Sequence, residues 1–171
     1  MDEDTLLWEN RPLEHWIETR RHQDGHKRWE AVDAIRHIAA PEISVPYMID
    51  TLRNDSYWRA RALAAHAVFD LVAGMNWDDP PQPDQNERDD ATLEHRIFLQ
   101  TVFALAPTIV IALAEALRDE DHHVRMNAVF ALREMGRIAT PAIPSLKEAL
   151  DHQDVELREA AQTALDCIER A

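Results

Sequence analysis

Apolar residues recur at helical intervals along much of the chain. Alanine stands three positions after each of Arg28, Arg59, Arg125 and Arg158 (Ala31, Ala62, Ala128, Ala161) and again six positions after (Ala34, Ala65, Ala131, Ala164). Positions seven and ten hold Ile35 and Ile38, His66 and Phe69, Leu132 and Met135, and Leu165 and Ile168. These offsets trace one stripe of a helix, so the pattern predicts four amphipathic helices, with His66 in a core position. An aspartate lies four residues before each arginine: Asp24, Asp55, Asp121 and Asp154. Aspartate suits that place because its side chain can accept from the unpaired N–H groups of a helix start.

A shorter, proline-opened helix precedes three of these stripes, at Pro41 to Leu52, Pro107 to Leu117 and Pro141 to Leu150. Proline fits a first turn, where its missing N–H would have had no partner. Pro12 to His22, with Leu13, Trp16 and Ile17, reads as a fourth such helix. The unit is helix, tight turn, helix. Four units are predicted, at about 11–39, 41–73, 107–136 and 139–170, in a single domain spanning 1–171. A self-similar array of this kind buries its apolar stripes only by stacking, and its ends need covers. The acidic start of the chain, with Leu6, Leu7 and Trp8, is a candidate cover for the first end.

The string Val124-Arg125, Ala128, Ala131-Leu132, Pro141-Ala142-Ile143-Pro144, Leu146, Ala149-Leu150, Asp154, Arg158, Ala161 and Ala164-Leu165 resembles the HEAT repeat family, including its short bacterial forms. The match is densest over 119–168, weaker over 24–73 and absent over 74–91. The resemblance implies an all-α, right-handed superhelix of helical hairpins in a cytoplasmic, bacterial protein. It also implies that Asp24, Arg28, Asp55, Arg59, Asp121, Arg125, Asp154 and Arg158 form a ladder of opposite charges along the stacked turns. Each aspartate acting only as a local cap is the alternative.

The interval between the second and third units holds an insertion. Residues 74–91 (GMNWDDPPQPDQNERDDA) combine three prolines with acidic residues and read as a surface loop. Thr92 then opens an extra helix over 92–106, with Leu93, Ile97, Phe98, Val102 and Leu105 on its apolar side, ended by Pro107. In the second unit Ala60, Ala64, Ala67 and Val68 occupy positions that should face outward. This small-residue stripe is predicted to receive the 92–106 helix or a partner subunit, including a second copy of the chain.

Composition narrows the class further. Only three glycines, Gly25, Gly74 and Gly136, occur in 171 residues, which argues against Gly-rich phosphate loops and glycine-turn hairpins. The single Cys167 allows no internal disulfide, consistent with a reducing compartment. The start of the chain lacks the basic-then-apolar order of a secretory signal. The apolar run from Ile97 to Ala114 approaches membrane-spanning length, but Gln100 and Pro107 interrupt it, so no membrane is expected. The formal net charge is −14 and is unevenly spread: residues 11–73 carry nine acids and nine bases, while the start and the loop are acidic.

No catalytic set emerges, and an enzyme is not the first reading. His26, His122, His123 and His152 fall near the turns with several aspartates, yet solvated turns explain them, and neither metal nor cofactor is expected. The di-iron hydroxylases of the HEAT class carry His-Glu dipeptides, which are missing here; the order is reversed at Glu14-His15 and Glu94-His95. HEAT-like DNA glycosylases use a basic face. The run Arg20 to Arg28 beside Trp29 is basic, but the overall charge opposes nucleic acid. Chromophore lyases of light-harvesting proteins are another enzyme branch the resemblance admits. The leading expectation is a scaffold or adaptor that binds another protein on its inner helices through Trp29, Arg36, Met126, Phe130 and Arg133. Aromatic, Met and Arg side chains are what interfaces favour. Packing of Met126 and Phe130 against the insertion is the competing reading.

Overall fold

The computed structural model describes residues 7–78, 81 and 90–170. Residues 1–6 of the acidic start, and 79–80 and 82–89 of the proline-rich loop, lie outside the described residues. A short hairpin of β1 (Leu7–Trp8) and β2 (Arg11–Pro12) leads into α1 (Leu13–Thr19), α2 (Gly25–Ile38), α3 (Pro41–Asn54) and α4 (Trp58–Val72). Then follow α5 (Asp90–Ala116), α6 (His122–Glu134), a 3-10 helix (Gly136–Ala142), α7 (Ile143–Ala149) and α8 (Val155–Arg170).

The even-numbered helices pack in series, α2 on α4, α4 on α6 and α6 on α8, and form the inner layer. In the other layer α3 packs on α5, and α5 on the 3-10 helix and α7. Cross-layer contacts of α1 with α2, α3 with α4, α5 with α6 and α7 with α8 complete four hairpins, an all-α solenoid. The core is a continuous seam of alanines and large aliphatics: Ala31, Ala34 and Ile35, then Ala128, Ala131 and Leu132, then Ala161 and Ala164, all inaccessible to solvent. Alanine at two of the four stripe positions lets neighbouring helices approach closely, while the larger residue fills the space left. The hairpin covers the first end, where Trp8 stacks on His37 with ring centroids 4.3 Å apart.

In the second unit the register differs from the sequence expectation by two residues. Arg28, Arg125 and Arg158 each donate to a carbonyl six residues back: His22 at 2.9 Å, Asp119 at 2.8 Å and His152 at 2.8 Å. The residue of the second unit that does this is Arg61, which reaches the Asp55 carbonyl at 2.9 Å. Arg61, not Arg59, is therefore the structural counterpart, and the arginine spacing becomes 33, 64 and 33. Counted from Arg61, the stripe is Ala64, Ala67, Val68 and Leu71, of which the first three are buried. His66 is exposed, so its expected core position is corrected. The stripe Ala60, Ala64, Ala67 and Val68 is 0–8% exposed and belongs to the chain's own core, so it offers no face to a second copy. The alanine-rich run Arg59-Ala-Arg-Ala-Leu-Ala-Ala-His-Ala satisfies both registers, which is why periodicity alone selected the wrong arginine.

The second correction concerns Pro107. The helix expected to stop at 106 and the one expected to start at 107 are one helix, α5, of 27 residues. A proline inside a helix removes one hydrogen bond and crowds the preceding turn, at a cost of about 3 kcal/mol. Val102 before it, and Ile109, Val110 and Leu113 after it, are all fully buried. Burial of each contributes about 1.5–3 kcal/mol, so continuity through the proline is favoured. Over Leu93–Ala116 this helix is long and apolar enough to cross a membrane. Here it is built into the stack, packed on α3, α6 and the 3-10 helix. Its first half folds back in cis: Phe103 lies 4.8 Å from the buried Trp77, whose indole N–H donates to the Val72 carbonyl at 3.3 Å. Leu93, Ile97 and Phe98, expected on its apolar side, are exposed, whereas Val102 is buried.

Two glycines have positional reasons. A side chain at Gly25 would meet the Tyr57 ring at 2.6 Å, because the start of α2 abuts the start of α4. Gly136 has φ +53°, the left-handed turn that releases α6 into the 3-10 helix.

Candidate functional site

The turns between hairpins carry a charge ladder whose members are partly those expected. Arg28 makes a two-pronged pair with Asp55 at 2.8 and 2.7 Å, and Arg61 makes one with Asp119 at 2.8 and 2.9 Å. Arg61 also reaches Glu120 at 3.0 Å. These hydrogen bonds to Asp55 and Asp119 hold both guanidinium groups above their usual pKa, against the lowering effect of burial. The last junction is built otherwise. Arg125 touches Asp154 at 3.2 Å, and His122 Nδ1 lies 2.7 Å from the same carboxylate. Asp154 also accepts from the N–H groups of Glu156 and Leu157, and so caps α8. The His122 contact, with the Leu157 N–H and Arg125, brings the Asp154 carboxyl down to about 2.

The two readings of the aspartates are thus divided among residues. Asp24 and Asp121 are local caps, accepting from His26, and from His123 and Val124. Asp55 is a ladder acceptor that also holds the Tyr57 N–H at 2.8 Å. Asp119, two residues ahead of the cap, is a ladder member the sequence reading missed. Arg59 is not a rung; its guanidinium lies 5.2 Å over the ring of Trp58. A second ladder joins the other layer through Arg20 with Asp50, Arg53 with Glu115, and Arg118 with Glu148. These arginines are spaced 33 and 65 residues apart, nearly the spacing of Arg28, Arg61 and Arg125, and that recurrence was the available signal.

A cavity of about 220 Å³ beside the first rung is lined by Arg20, Arg28, Tyr47, Asp50 and Asp55. Its charges already pair with one another, and burial pushes the Tyr47 hydroxyl up to about 12. It belongs to the ladder.

The inner layer is where unsatisfied surface collects. A groove of about 580 Å³ runs across the first turns of α2, α4 and α6. Its floor is Ala62 and Leu63, where Asn127 Nδ2 on α6 donates to the Ala62 carbonyl at 3.1 Å. On one side His26 and Trp29 stack at 5.4 Å with planes 5° apart. On the other, Trp58 of α4 stacks with His123 of α6 at 6.0 Å. Arg59 and His66 complete the lining. Repeat geometry accounts for part of this lining, because residues one and five positions beyond the ladder arginine fall outside the fully buried stripe, and of these Trp29, Ala62 and His66 line the groove. Trp29, Ala62 and Met126 are the first such set in the corrected register, and Asp33, His66 and Phe130 the second.

Of the five expected contact residues, only Trp29 lines the groove. Arg36 bridges α2 and α4 through Asp33 at 2.9 Å and Asp70 at 3.3 Å. Met126 is half-buried against the core, and Phe130 is half-buried with the Arg133 guanidinium 5.5 Å over its ring. Arg133 itself pairs with Glu134 at 2.7 Å. Trp58 and Leu63 were missed because the two-residue register error moved the inner face of α4 off its true positions. His123 and Asn127 lie on α6, whose register was read correctly, and join the groove only through their packing against α4. Among the described residues, no group of three or more His, Cys, Asp or Glu is placed to hold a metal ion. His152 and His22 instead accept from the N–H groups of Asp154 and Asp24 at their own turns.

Stacked antiparallel hairpins with an inner layer, an outer layer and a charged turn ladder define an all-α helical-repeat solenoid. Residues 100–166 match the family model described as HEAT repeats, which supports the resemblance to that family over this stretch. No curated protein sequence matches it. Among solved structures it is similar to the complex of CpcE and CpcF of phycocyanin lyase from Nostoc sp. PCC7120. That match has 16% identity and a TM-score of 0.55, over 89% of this chain and 79% of that one. Two engineered proteins are similar at 18% and 22% identity, with TM-scores of 0.56 and 0.58. This chain is covered to 91% and 93% in those matches and spans 62% and 64% of their lengths. At these identities the likeness is one of fold.

Proposed function

We propose that the protein is a binding scaffold that holds another protein on the inner helices α2, α4 and α6. The observation that carries this reading is the aromatic and imidazole groove across three consecutive hairpins, open to solvent in a chain whose other polar side chains largely pair with one another. Exposed Trp and Arg side chains at the centre of a surface are the usual anchors of protein interfaces. A solenoid supplies a long, rigid face for such contacts without any bond chemistry. The similar phycocyanin lyase structure is itself a complex of two proteins, which accords with this reading.

A photoreactive side chain at Leu63 should cross-link one protein stoichiometrically in the source cell extract. The same group at Glu42, exposed on α3, should not. Cross-linking from Glu42 alone would move the interface to the outer layer. A lyase-type subunit is the second reading, favoured only by the fold of the similar structure. Covalent transfer of a chromophore to a phycocyanin chain in the presence of this protein, and not in its absence, would establish it. Retention on heparin at physiological salt would instead support a nucleic-acid partner.

A further inference from the structure

Resting on that reading of the inner face, we infer that the groove over α2, α4 and α6 binds a proline-rich segment in polyproline II conformation carrying acidic residues. Three observations converge on this chemistry. First, the two indoles stand on successive inner helices, Trp29 on α2 and Trp58 on α4. Packed helices are about 8–10 Å apart, and one turn of polyproline II advances about 9 Å, so one turn of such a segment spans from one inner helix to the next. Second, among the described residues neither the Trp29 nor the Trp58 indole N–H has a hydrogen-bond acceptor, and, unlike Trp16, whose unpartnered N–H is buried, both line an open groove. A polyproline II segment makes no internal hydrogen bonds and presents free carbonyls to such donors. A helical ligand brings its carbonyls already paired, and a strand would need a sheet edge, which the groove does not have.

Third, the charge of the lining is one-sided. Arg59 and the imidazoles of His26, His66 and His123 line the groove, and no carboxylate does. The acids beside it are already engaged: Asp24 and Asp121 accept from the His26 and His123 N–H groups at 2.9 Å, and Glu30 and Asp70 lie 3.6 Å from the His26 and His66 rings. Arg59 has no ion pair among the described residues and is held over Trp58, whereas Arg28, Arg61 and Arg125 are all committed to the ladder. In a chain of net charge −14 this is a local site for a carboxylate. The prolines rest on the indoles, and a flanking Asp or Glu takes the Arg59 guanidinium.

The test is a titration of the full chain with a synthetic oligoproline flanked by glutamates, followed through the indole N–H resonances of the tryptophans. The Trp29 and Trp58 resonances should move and saturate while those of Trp16 and Trp77 stay in place. Arg59→Glu and Trp58→Ala should each weaken binding at least about tenfold, without a change in melting. The same oligoproline flanked by lysines should bind more weakly. Equal movement with an acidic Gly/Ser peptide of the same length, or none with oligoproline at millimolar concentration, overturns the inference. If oligoproline fails while the Leu63 cross-linker still captures a protein, the partner has other chemistry and the inner-face reading stands. If both fail, both fall.

Discussion

The first two ladder junctions and the last one solve the same problem with different residues. Between α2 and α4, and between α4 and α6, the arginine grips an aspartate ahead of the helix start with two hydrogen bonds, and that aspartate also accepts one backbone N–H, from Tyr57 at Asp55 and from Asp121 at Asp119. Between α6 and α8 one carboxylate, Asp154, both caps the helix and receives Arg125, with His122 as an added partner. At the α4–α6 junction Asp119 takes the arginine and Asp121 caps the helix, while at the α2–α4 junction α4 has no side-chain cap and Asp55 serves the arginine. The shared carboxylate of Asp154 makes the last hairpin's attachment depend on the ionisation of a single group. It also explains how a sequence reading can recognise the ladder and still misassign its rungs: the motif is defined by a carbonyl six residues back, not by an aspartate four residues back.

Substitutions can separate the two kinds of junction. Among changes to the acidic partners the largest effect is expected for Asp119→Ala, which leaves the buried Arg61 with only Glu120 and a carbonyl; about 3 kcal/mol should be lost in urea unfolding. Asp154→Ala should cost less, since the 40%-exposed His122 can turn to water. The buried Arg125 makes one hydrogen bond to Asp154 where Arg61 makes two to Asp119, and it keeps the Asp119 and Glu120 carbonyls. Equal losses at the two sites would erase the distinction. Next comes Gly25→Ala, whose new methyl meets Tyr57 at 2.6 Å and should cost about 1–3 kcal/mol; pairing it with Tyr57→Ala should recover part of that loss in a double-mutant cycle. Asp121→Ala removes only a cap and should cost about 1 kcal/mol, measured by thermal unfolding.

The smallest effect is a pH dependence. The Asp154 carboxyl titrates at about 2 in the folded chain against 3.8 for the free group, so it binds a proton less readily folded than unfolded. Its contribution is fully present above about pH 4 and is lost as the pH falls toward about 2. Asp154→Asn should therefore flatten stability across that window and leave the slope near neutrality unchanged. An unaltered acid profile would mean that the contacts of His122 and Arg125 do not act on this carboxylate in solution.

Much of the architecture was legible because alanine at fixed offsets can mean little else than close helix stacking. Over α6 and α8 the stripe, the caps at Asp121 and Asp154 and the register of the arginines were read in their true places. Arg158, however, expected as a rung, donates only to the His152 and Gln153 carbonyls and has no ion pair among the described residues. In α4 the same composition concealed the register: with alanine at 60, 62, 64, 65 and 67, the three- and six-residue offsets fit two arginines equally well. The contacts of Arg61 with the Asp55 carbonyl and Asp119, and its burial at 7% against an exposed Arg59, tell them apart. Pro107 misled for a different reason, since a local rule about proline was outweighed by the burial of residues on both sides of it. The groove was the least legible feature. Its aromatic and imidazole residues come from three helices and carry no shared motif, and Trp29 alone could be named in advance.

The register of α4 decides which side chains form the inner face, so it is the claim on which the rest depends. Comparing the urea unfolding of Arg59→Ala and Arg61→Ala tests it most directly. The structure predicts a loss of about 3–5 kcal/mol for Arg61→Ala, which strands Asp119 and breaks a buried pair, and a change within about 0.5 kcal/mol for Arg59→Ala. The opposite order, with Arg59→Ala the destabilising change, would contradict the ladder described above and remove Trp58, Ala62 and His66 from the inner face.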